Sequence, residues 1–312
     1  ASEIEKRDGF SGDGSITIKR SELTQRMENT VSFQLYKVLN TMWKQNCIVV
    51  PRNFKRIIEK QNEQFMGYSQ NDSHEVINLV LDKVSEETAT SKTVKFKDKP
   101  KGVDELNKLR RECYSIINDP SKSPEEQEEA KKVYKKGIRE DMKSYIILSS
   151  YIFWKKHVEN YSIISNIFTG MFCTLTKCVE CENITVKFSS FTNLSISIPE
   201  HGQVSIEKCL ENFSMEERID GENKIQCEEC NKKTAAIRTM LIWELPEILI
   251  IHLKRFVVTQ HGTRKVHTLV NFPLDDLSLS NCQIGWHDAN TKYKLYAISE
   301  HRGGYGSGHY VS

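Results

Sequence analysis

No stretch of these 312 residues is apolar for the ~20 residues a bilayer-spanning helix requires, and no signal peptide opens the chain. Neither a membrane partner nor export is therefore expected. An excess of charge is also missing. Lys plus Arg number 44 and Asp plus Glu 42, a formal net charge of +2. That removes the electrostatic footprint of a nucleic-acid binder and leaves room only for local patches. The nine cysteines are odd in number, unevenly spaced and too few for a secreted disulfide framework. A reducing compartment fits better, so the expected location is intracellular, cytoplasmic and/or nuclear. Residues 1–46 contain no cysteine, and internal repeats and low-complexity tracts are absent throughout. The length suffices for one large domain or two ordinary ones. Residues 1–15 are polar and Gly-bearing, and begin as if cut from something longer.

What is present centres on Cys178-Val-Glu-Cys181 and Cys227-Glu-Glu-Cys230. Two Cys-x-x-Cys pairs supply the four thiolates of a tetrahedral Zn²⁺ site, each short loop covering one edge of the ion. The segment between them is longer than in a compact zinc ribbon, so the pairs should lie at the tips of separate strand pairs. Alternation of Ile184, Val186 and Phe188, and of Leu194, Ile196 and Ile198, agrees with strands on the flanks. Ala235, Ile237, Thr239 and Leu241 share one face of another. Four cysteines leave no open position, so the zinc would be structural. Binding of order 10 kcal/mol can hold such a small assembly together. Disulfides or four ordinary thiols are the alternative.

Along the chain, Leu35, Leu39, Met42 and Trp43 give a helix from Thr30 with one apolar face. Pro51 and Asn53 start a second helix, with Phe54, Ile57 and Ile58 inward. Ser69 to Asp72 has the capping-box form, followed by a stripe of Ile77, Val80, Leu81 and Val84. Residues 86–143 change character. Lys95–Gly102 reads as a loop. Leu106, Leu109, Cys113, Ile116 and Ile117 mark a helix stopping at Asn118-Asp119-Pro120, and Ser123-Pro124-Glu125-Glu126 caps the next, with a narrow stripe of Ala130, Val133, Tyr134 and Ile138. The pair reads as a protruding helical hairpin inserted into a domain, its charge a solvated face. Tyr145–Trp154 and Ile163–Phe168 read as buried segments. Ile248–Leu253 reads as a strand buried on both faces, and Tyr293–Ile298 as a further strand. Beyond it come Gly303, Gly304, Gly306 and Gly308, then His309-Tyr310. Glycines beside a histidine let backbone approach a ligand closely. A His held on a strand after such a loop suits a general base, although a structural His beside a glycine turn is as common.

Four pieces stand in order: Tyr68-Ser-Gln70-Asn71-Asp72-Ser-His74-Glu75; the two Cys-x-x-Cys pairs; Leu245-Pro-Glu-Ile-Leu-Ile-Ile-His-Leu-Lys254-Arg255-Phe256 with Val270-Asn-Phe-Pro273; and His301-Arg-Gly303 with Gly308-His309-Tyr310. Together they closely resemble the catalytic domain of the ubiquitin-specific proteases, which are papain-like cysteine isopeptidases. The resemblance covers roughly residues 30–85 and 145–312. It implies an α+β fold of right-hand architecture, with thumb, palm and fingers. One domain over 1–312 is expected: a helical part (1–85), the inserted hairpin (86–143), a second helical part (144–170), zinc-binding β fingers (171–243) and a palm sheet carrying the His box (244–312).

The implied partners are ubiquitin and ubiquitinated proteins, with no nucleic acid, and the hairpin is left as a surface for a protein partner. Cys178, Cys181, Cys227 and Cys230 would hold structural Zn²⁺ at the fingertips. His309 matches the catalytic base. Gly303 and Gly304 match the loop over the channel for the ubiquitin Gly-Gly tail, with Tyr310 beside it. Asp72 matches an acid directed at the basic tail, a helix cap being its other reading. His301 is expected to be structural and His252 a satisfied core histidine.

The departures are the Asn-x-x-x-x-Cys box and the Asp or Asn that orients the histidine. Both are expected outside this sequence, and none of Cys47, Cys113, Cys173, Cys209 and Cys282 stands in for the nucleophile. The helix-leading box also departs mildly, Gln70-Asn71-Asp72-Ser73 standing where a second Gln and an Ala are usual. A deubiquitinating thiol protease is the first expectation and a ubiquitin-binding pseudoenzyme or scaffold the second. A zinc-dependent nucleic-acid binder is a remote third, which the balanced charge does not support.

Overall fold

The computed structural model describes residues 25–93, 100–260, 262–284, 292–304 and 306–312. The described residues fall into two compact units, one drawn from 25–89, 162–164 and 299–312, the other from 90–161 and 165–298. Among the described residues no helix is long and apolar enough to cross a membrane.

The first unit is built on three helices, Val31–Lys44, Arg52–Gln61 and Ser73–Glu87, and the antiparallel hairpin of Glu300–Gly304 with Ser307–Val311. Thr30 caps the first helix by accepting from Phe33 N–H. Glu87, at the far end of the third, accepts from the amides of Val31 and Ser32 at 2.8 and 2.7 Å. Its carboxylate thus satisfies donors that a helix start leaves open. Val31, Ile57, Ile58 and Phe65 form the core, with Val76, Leu79, Val80 and Val84 against it.

Two expectations for this unit change. The face of Leu39, Met42 and Trp43 is exposed, Trp43 at 92%, and Val31 and Gln34 are what the first helix buries. In the third helix the expected Val80 and Val84 pack inward, but Val76 and Leu79 join them where Ile77 and Leu81 were expected, and Ile77 is exposed. Asp72, not Ser69, is the N-cap.

The second unit carries the Lys101–Ile117 and Pro124–Glu140 helices, followed by Met142–His157. The expected capping box at Ser123 and Glu126 is formed in both directions. Of the loop expected over Lys95–Gly102, residues 95–99 lie outside the described residues. Pro100 is the N-cap of the first of these helices, and Lys101 and Gly102 already belong to it. The hairpin does not stand clear of its unit. Val103 and Leu106 pack with Ile147, Leu148 and Trp243, and Lys135 and Arg139 reach Glu229.

A four-stranded antiparallel sheet runs in the order Ile184–Phe191, Gly170–Cys178, Ala236–Glu244, Glu217–Ile219. The expected alternation holds in Ile184–Phe191, with Thr185 and Lys187 exposed and Phe188 buried. A second core joins Phe191, Leu194, Ile196, Ile206, Leu210 and Ile242. Three expectations fail here. The Ile248–Leu253 run yields a strand only at Ile251–Leu253, half-buried and parallel to Leu194–Ile196. Its preceding amides go elsewhere, Ile248 N–H donating to Ile167 C=O. Tyr293–Ile298 pairs only at Lys292–Tyr293, leaving Tyr296 and Ile298 exposed. Tyr145–Trp154 is helix with buried positions, as expected, but Ile163 in the short Ile163–Phe168 helix is exposed.

Candidate metal centre and C-terminal hairpin

The two Cys-x-x-Cys pairs sit at the tips of two different β-hairpins. Cys178 ends the Gly170–Cys178 strand and Cys181 lies in the turn towards Ile184–Phe191; Cys227 ends Ile225–Cys227 and Cys230 precedes Lys232–Thr234. Each turn uses the same device. The residue after the second cysteine, Glu182 at φ 58° or Asn231 at φ 50°, takes the left-handed conformation that reverses the chain at a cost most side chains avoid. The four sulfurs all lie within 4.8 Å of one another. Across the pairs, Cys178 to Cys230 is 3.9 Å and Cys181 to Cys227 is 3.6 Å. A tetrahedron with Zn–S near 2.3 Å has edges of about 3.8 Å, so the spacing fits the ion. All four are free thiols. Cys178 and Cys227 are buried while Cys181 is exposed.

The environment favours thiolate at one end of the group. Thr234 Oγ1 lies 3.2 Å from Cys178 Sγ. That hydrogen bond, with the backbone N–H groups of Cys181 and Glu180, pulls Cys178 down to about 6. Cys230 is raised, foremost through its hydrogen bond with Cys181. Four sulfurs this close cannot all ionise without a cation between them. The donor set and spacing are those of a closed, structural tetrathiolate site. Thr234 was not legible from the motif, although its place four residues beyond Cys230 on a returning strand is the signal.

The C-terminal hairpin gathers the remaining candidates. His309 lies on Ser307–Val311, exposed, with Arg302 as its cross-strand neighbour. Among the described residues its ring makes no hydrogen bond. His301 and Tyr310 form the next register pair, their rings 4.8 Å apart. The His301 ring lies where a Cβ on Gly308 would be, which explains glycine there. Gly303 has φ 110° and its missing Cβ faces Ser307 C=O, whereas Gly304 borders open space. Tyr310 Oη donates to Asp72 Oδ1 at 3.0 Å, and Asp72 Oδ1 also accepts from His74 N–H at 2.9 Å. Asp72 is therefore a helix cap that binds Tyr310 at the same time. Burial first, then the Asp72 charge, raises the Tyr310 phenol. His252, expected to be satisfied, has Ser195 Oγ 3.1 Å from Nδ1 and is half-buried.

Outside the metal group no buried cysteine suits nucleophilic work. Burial pushes Cys173 up to about 12 and Cys282 to about 11, and raises Cys113 and Cys209. Cys47 is exposed, with Gln45 Oε1 3.9 Å from its sulfur.

The family model described as ubiquitin carboxyl-terminal hydrolase matches residues 10–312. The chain is similar to the probable ubiquitin carboxyl-terminal hydrolase R319 of Acanthamoeba polyphaga mimivirus, 32% identical over 299 residues, which covers 92% of this chain and 63% of that protein. It is also similar to ubiquitin carboxyl-terminal hydrolase 2 of Homo sapiens, 29% identical over 284 residues, 88% of this chain and 40% of the relative. It thus spans less than two thirds of either. Among solved structures, the SAGA Ubp8/Sgf11/Sus1/Sgf73 DUB module bound to ubiquitin aldehyde contains a chain with a TM-score of 0.56 at 19% identity, covering 93% of this chain and 54% of that one. The α+β fold with its strand-borne group of four cysteines agrees with that likeness, and over nearly its whole length this chain belongs to the ubiquitin carboxyl-terminal hydrolase family.

Proposed function

We propose that this chain is the ubiquitin-binding and base-carrying part of a cysteine deubiquitinase. The reaction cleaves the peptide or isopeptide bond after the C-terminal Gly-Gly of ubiquitin. The observation that carries the reading is the family match over residues 10–312, supported by the ubiquitin aldehyde bound in the structural neighbour. His309 takes the proton of the nucleophilic thiol and returns it to the leaving lysine amine. Gly303 and Gly304 border the channel for the Gly-Gly tail, with Tyr310 beside them. Asp72 Oδ1 is held by Tyr310 and His74, and Oδ2 is the atom that would meet a basic group of the tail. Zn²⁺ at Cys178, Cys181, Cys227 and Cys230 supplies no reaction chemistry and ties the two hairpin tips together. A ubiquitin derivative with a thiol-reactive C-terminus tests the reading. With the proposed nucleophile-bearing segment present, a covalent adduct on its cysteine is expected, and the absence of that adduct alongside an intact fold counts against protease chemistry.

A second reading, a ubiquitin-docking scaffold, is favoured by one observation. Four of the five cysteines outside the metal group are buried with raised thiols. Ubiquitin bound reversibly, with no adduct and no turnover, is its signature.

A further inference from the structure

The two halves of the metal group are supported very differently. Cys178 ends a strand flanked on both sides in the four-stranded sheet, and Val179 N–H beyond it donates to Ala235 C=O at 3.0 Å. Cys227 and Cys230 instead belong to a two-stranded hairpin of three residues per strand, Ile225–Cys227 with Lys232–Thr234, which among the described residues pairs with no further strand and runs on through Ala235 into Ala236–Glu244. An isolated ribbon of that size is marginal in water. Something else must hold its tip.

Glu229, inside the second Cys-x-x-Cys, shows what does. Lys135 Nζ lies 2.5 Å from its Oε1 and Arg139 Nη2 3.2 Å from its Oε2, so each carboxylate oxygen has its own cation. Lys135 and Arg139 are four apart on the Pro124–Glu140 helix and therefore share a face. The Glu229 side chain is 23% exposed, against 67% for Glu140, an ion-pair partner on that same helix. The helix is itself anchored. Ala130 is buried, Tyr134 packs on the cluster of Val103, Leu106, Ile147 and Leu148, and Gly137 sits so close to Leu109 that a Cβ would collide. Trp243 of the central strand packs on that cluster too. The corresponding residue of the first pair, Glu180, is held at 2.7 Å by Lys232 from the second hairpin. A divalent ion in four thiolates leaves a net charge of about −2, beside which Glu180, Glu228 and Glu229 would repel one another without these cations.

We propose that the inserted helical hairpin is a brace for the metal site: Lys135 and Arg139, gripping Glu229, hold Cys227 and Cys230 in ligating geometry. This rests on the zinc reading above. Lys135 and Arg139 are positioning residues, acting through the loop and not on the ion. The insertion, expected only to offer a surface to a protein partner, thereby becomes a determinant of metal retention, and one sensitive to charge.

Zinc release into excess chromogenic chelator tests the brace on purified protein. The variants are Lys135→Glu/Arg139→Glu, Glu229→Lys and the combination of all three, with Lys132→Glu as a net-charge control. Each reversal is expected to speed release about tenfold, the lower end of what loss of a partner outside the ligand shell costs a metal site. The triple combination should return to the parental rate and Lys132→Glu should not differ from it. Raising ionic strength should speed release from the parent and slow it from the double reversal, because salt screens attraction to Glu229 in the one and repulsion from it in the other. A parent that holds zinc, with reversals that release it at the parental rate or a triple variant that fails to recover, overturns the brace alone. A parent that binds no zinc overturns the metal reading and the brace with it.

Discussion

Tyr310 Oη donates a 3.0 Å hydrogen bond to Asp72 Oδ1 across 238 positions of sequence. The bond fastens the strand that carries His309 to the first turn of the Ser73–Glu87 helix. Since the same oxygen caps that helix through His74 N–H, the orientation of the His309 strand and the integrity of the helix start depend on one carboxylate. Tyr310 also packs, at a tilt, against His301, whose ring covers Gly308. The position of His309 is thus set on both sides by neighbours that do no chemistry.

The coupling is measurable. Tyr310→Phe removes a bond to a carboxylate at a half-buried site and should cost about 1 kcal/mol. Asp72→Ala removes that bond and the cap together, and should cost about 2 kcal/mol. In a double-mutant cycle by urea denaturation the two losses should fall short of additive by at least about 0.5 kcal/mol. Strict additivity would mean that the bond does not form in solution.

Gly303 and Gly304 are neighbours with opposite needs. An alanine at Gly303 must adopt φ 110° and meet Ser307 C=O, whereas at Gly304 it meets nothing within 4 Å. Gly303→Ala should destabilise by about 1–3 kcal/mol. Gly304→Ala should leave the melting temperature unchanged, so any fall in kcat/KM reports on the proposed tail channel alone. Equal melting losses in both variants would contradict this hairpin geometry.

Much of this was legible in the sequence where local chemistry decides. The Cys spacing put four sulfurs together, the Ser123/Glu126 box formed, and Ile57 and Ile58 turned inward. Legibility failed where distant partners decide. Ile248–Leu253 is apolar enough for a full strand, but the ladder with Leu194–Ile196 extends only three residues. Ser69 and Asp72 both look like caps, and Tyr310, far along the chain, accompanies the choice of Asp72. Lys135 and Arg139 read as solvated charge because nothing nearby in sequence announces Glu229.

Alkaline pH should weaken the second unit. Burial raises Tyr134 and Tyr293 to about 12 from an ordinary 10.0. Between those values the unfolded chain has released protons that the folded chain keeps. Stability is therefore full below pH 10 and is lost as pH rises through 12. Melting temperature followed from pH 9 to 12 should fall more gently in Tyr134→Phe than in the parent. Parallel curves would show that Tyr134 titrates normally in the folded protein.

Metal analysis of the reduced protein should find one zinc per chain, lost in Cys227→Ser/Cys230→Ser. The S–S spacing across the two pairs, 3.9 and 3.6 Å, is the motivation. Stripping the metal should lower the melting temperature and speed amide exchange in residues 225–234, because binding of order 10 kcal/mol is coupled to local folding. A protein that is folded, reduced and free of zinc after exposure to the ion would end this assignment.

The last prediction concerns His309 as the proposed catalytic base. A free cysteine is only a few per cent thiolate at neutral pH, and an adjacent imidazolium raises that fraction sharply. His309 is exposed on its strand and its ring has no hydrogen-bond partner among the described residues, so its removal leaves no buried group unpaired. His309→Ala should melt like the parent, keep its zinc and bind ubiquitin within about twofold, while turnover falls by several orders of magnitude, the scale seen when a triad base is lost. His301→Ala should behave in the opposite sense. It removes the ring against Tyr310 and above Gly308, so stability should drop while turnover per folded molecule falls far less. Near-parental turnover in His309→Ala refutes the assignment, and so does loss of ubiquitin binding together with activity, since a base acts after the substrate is held.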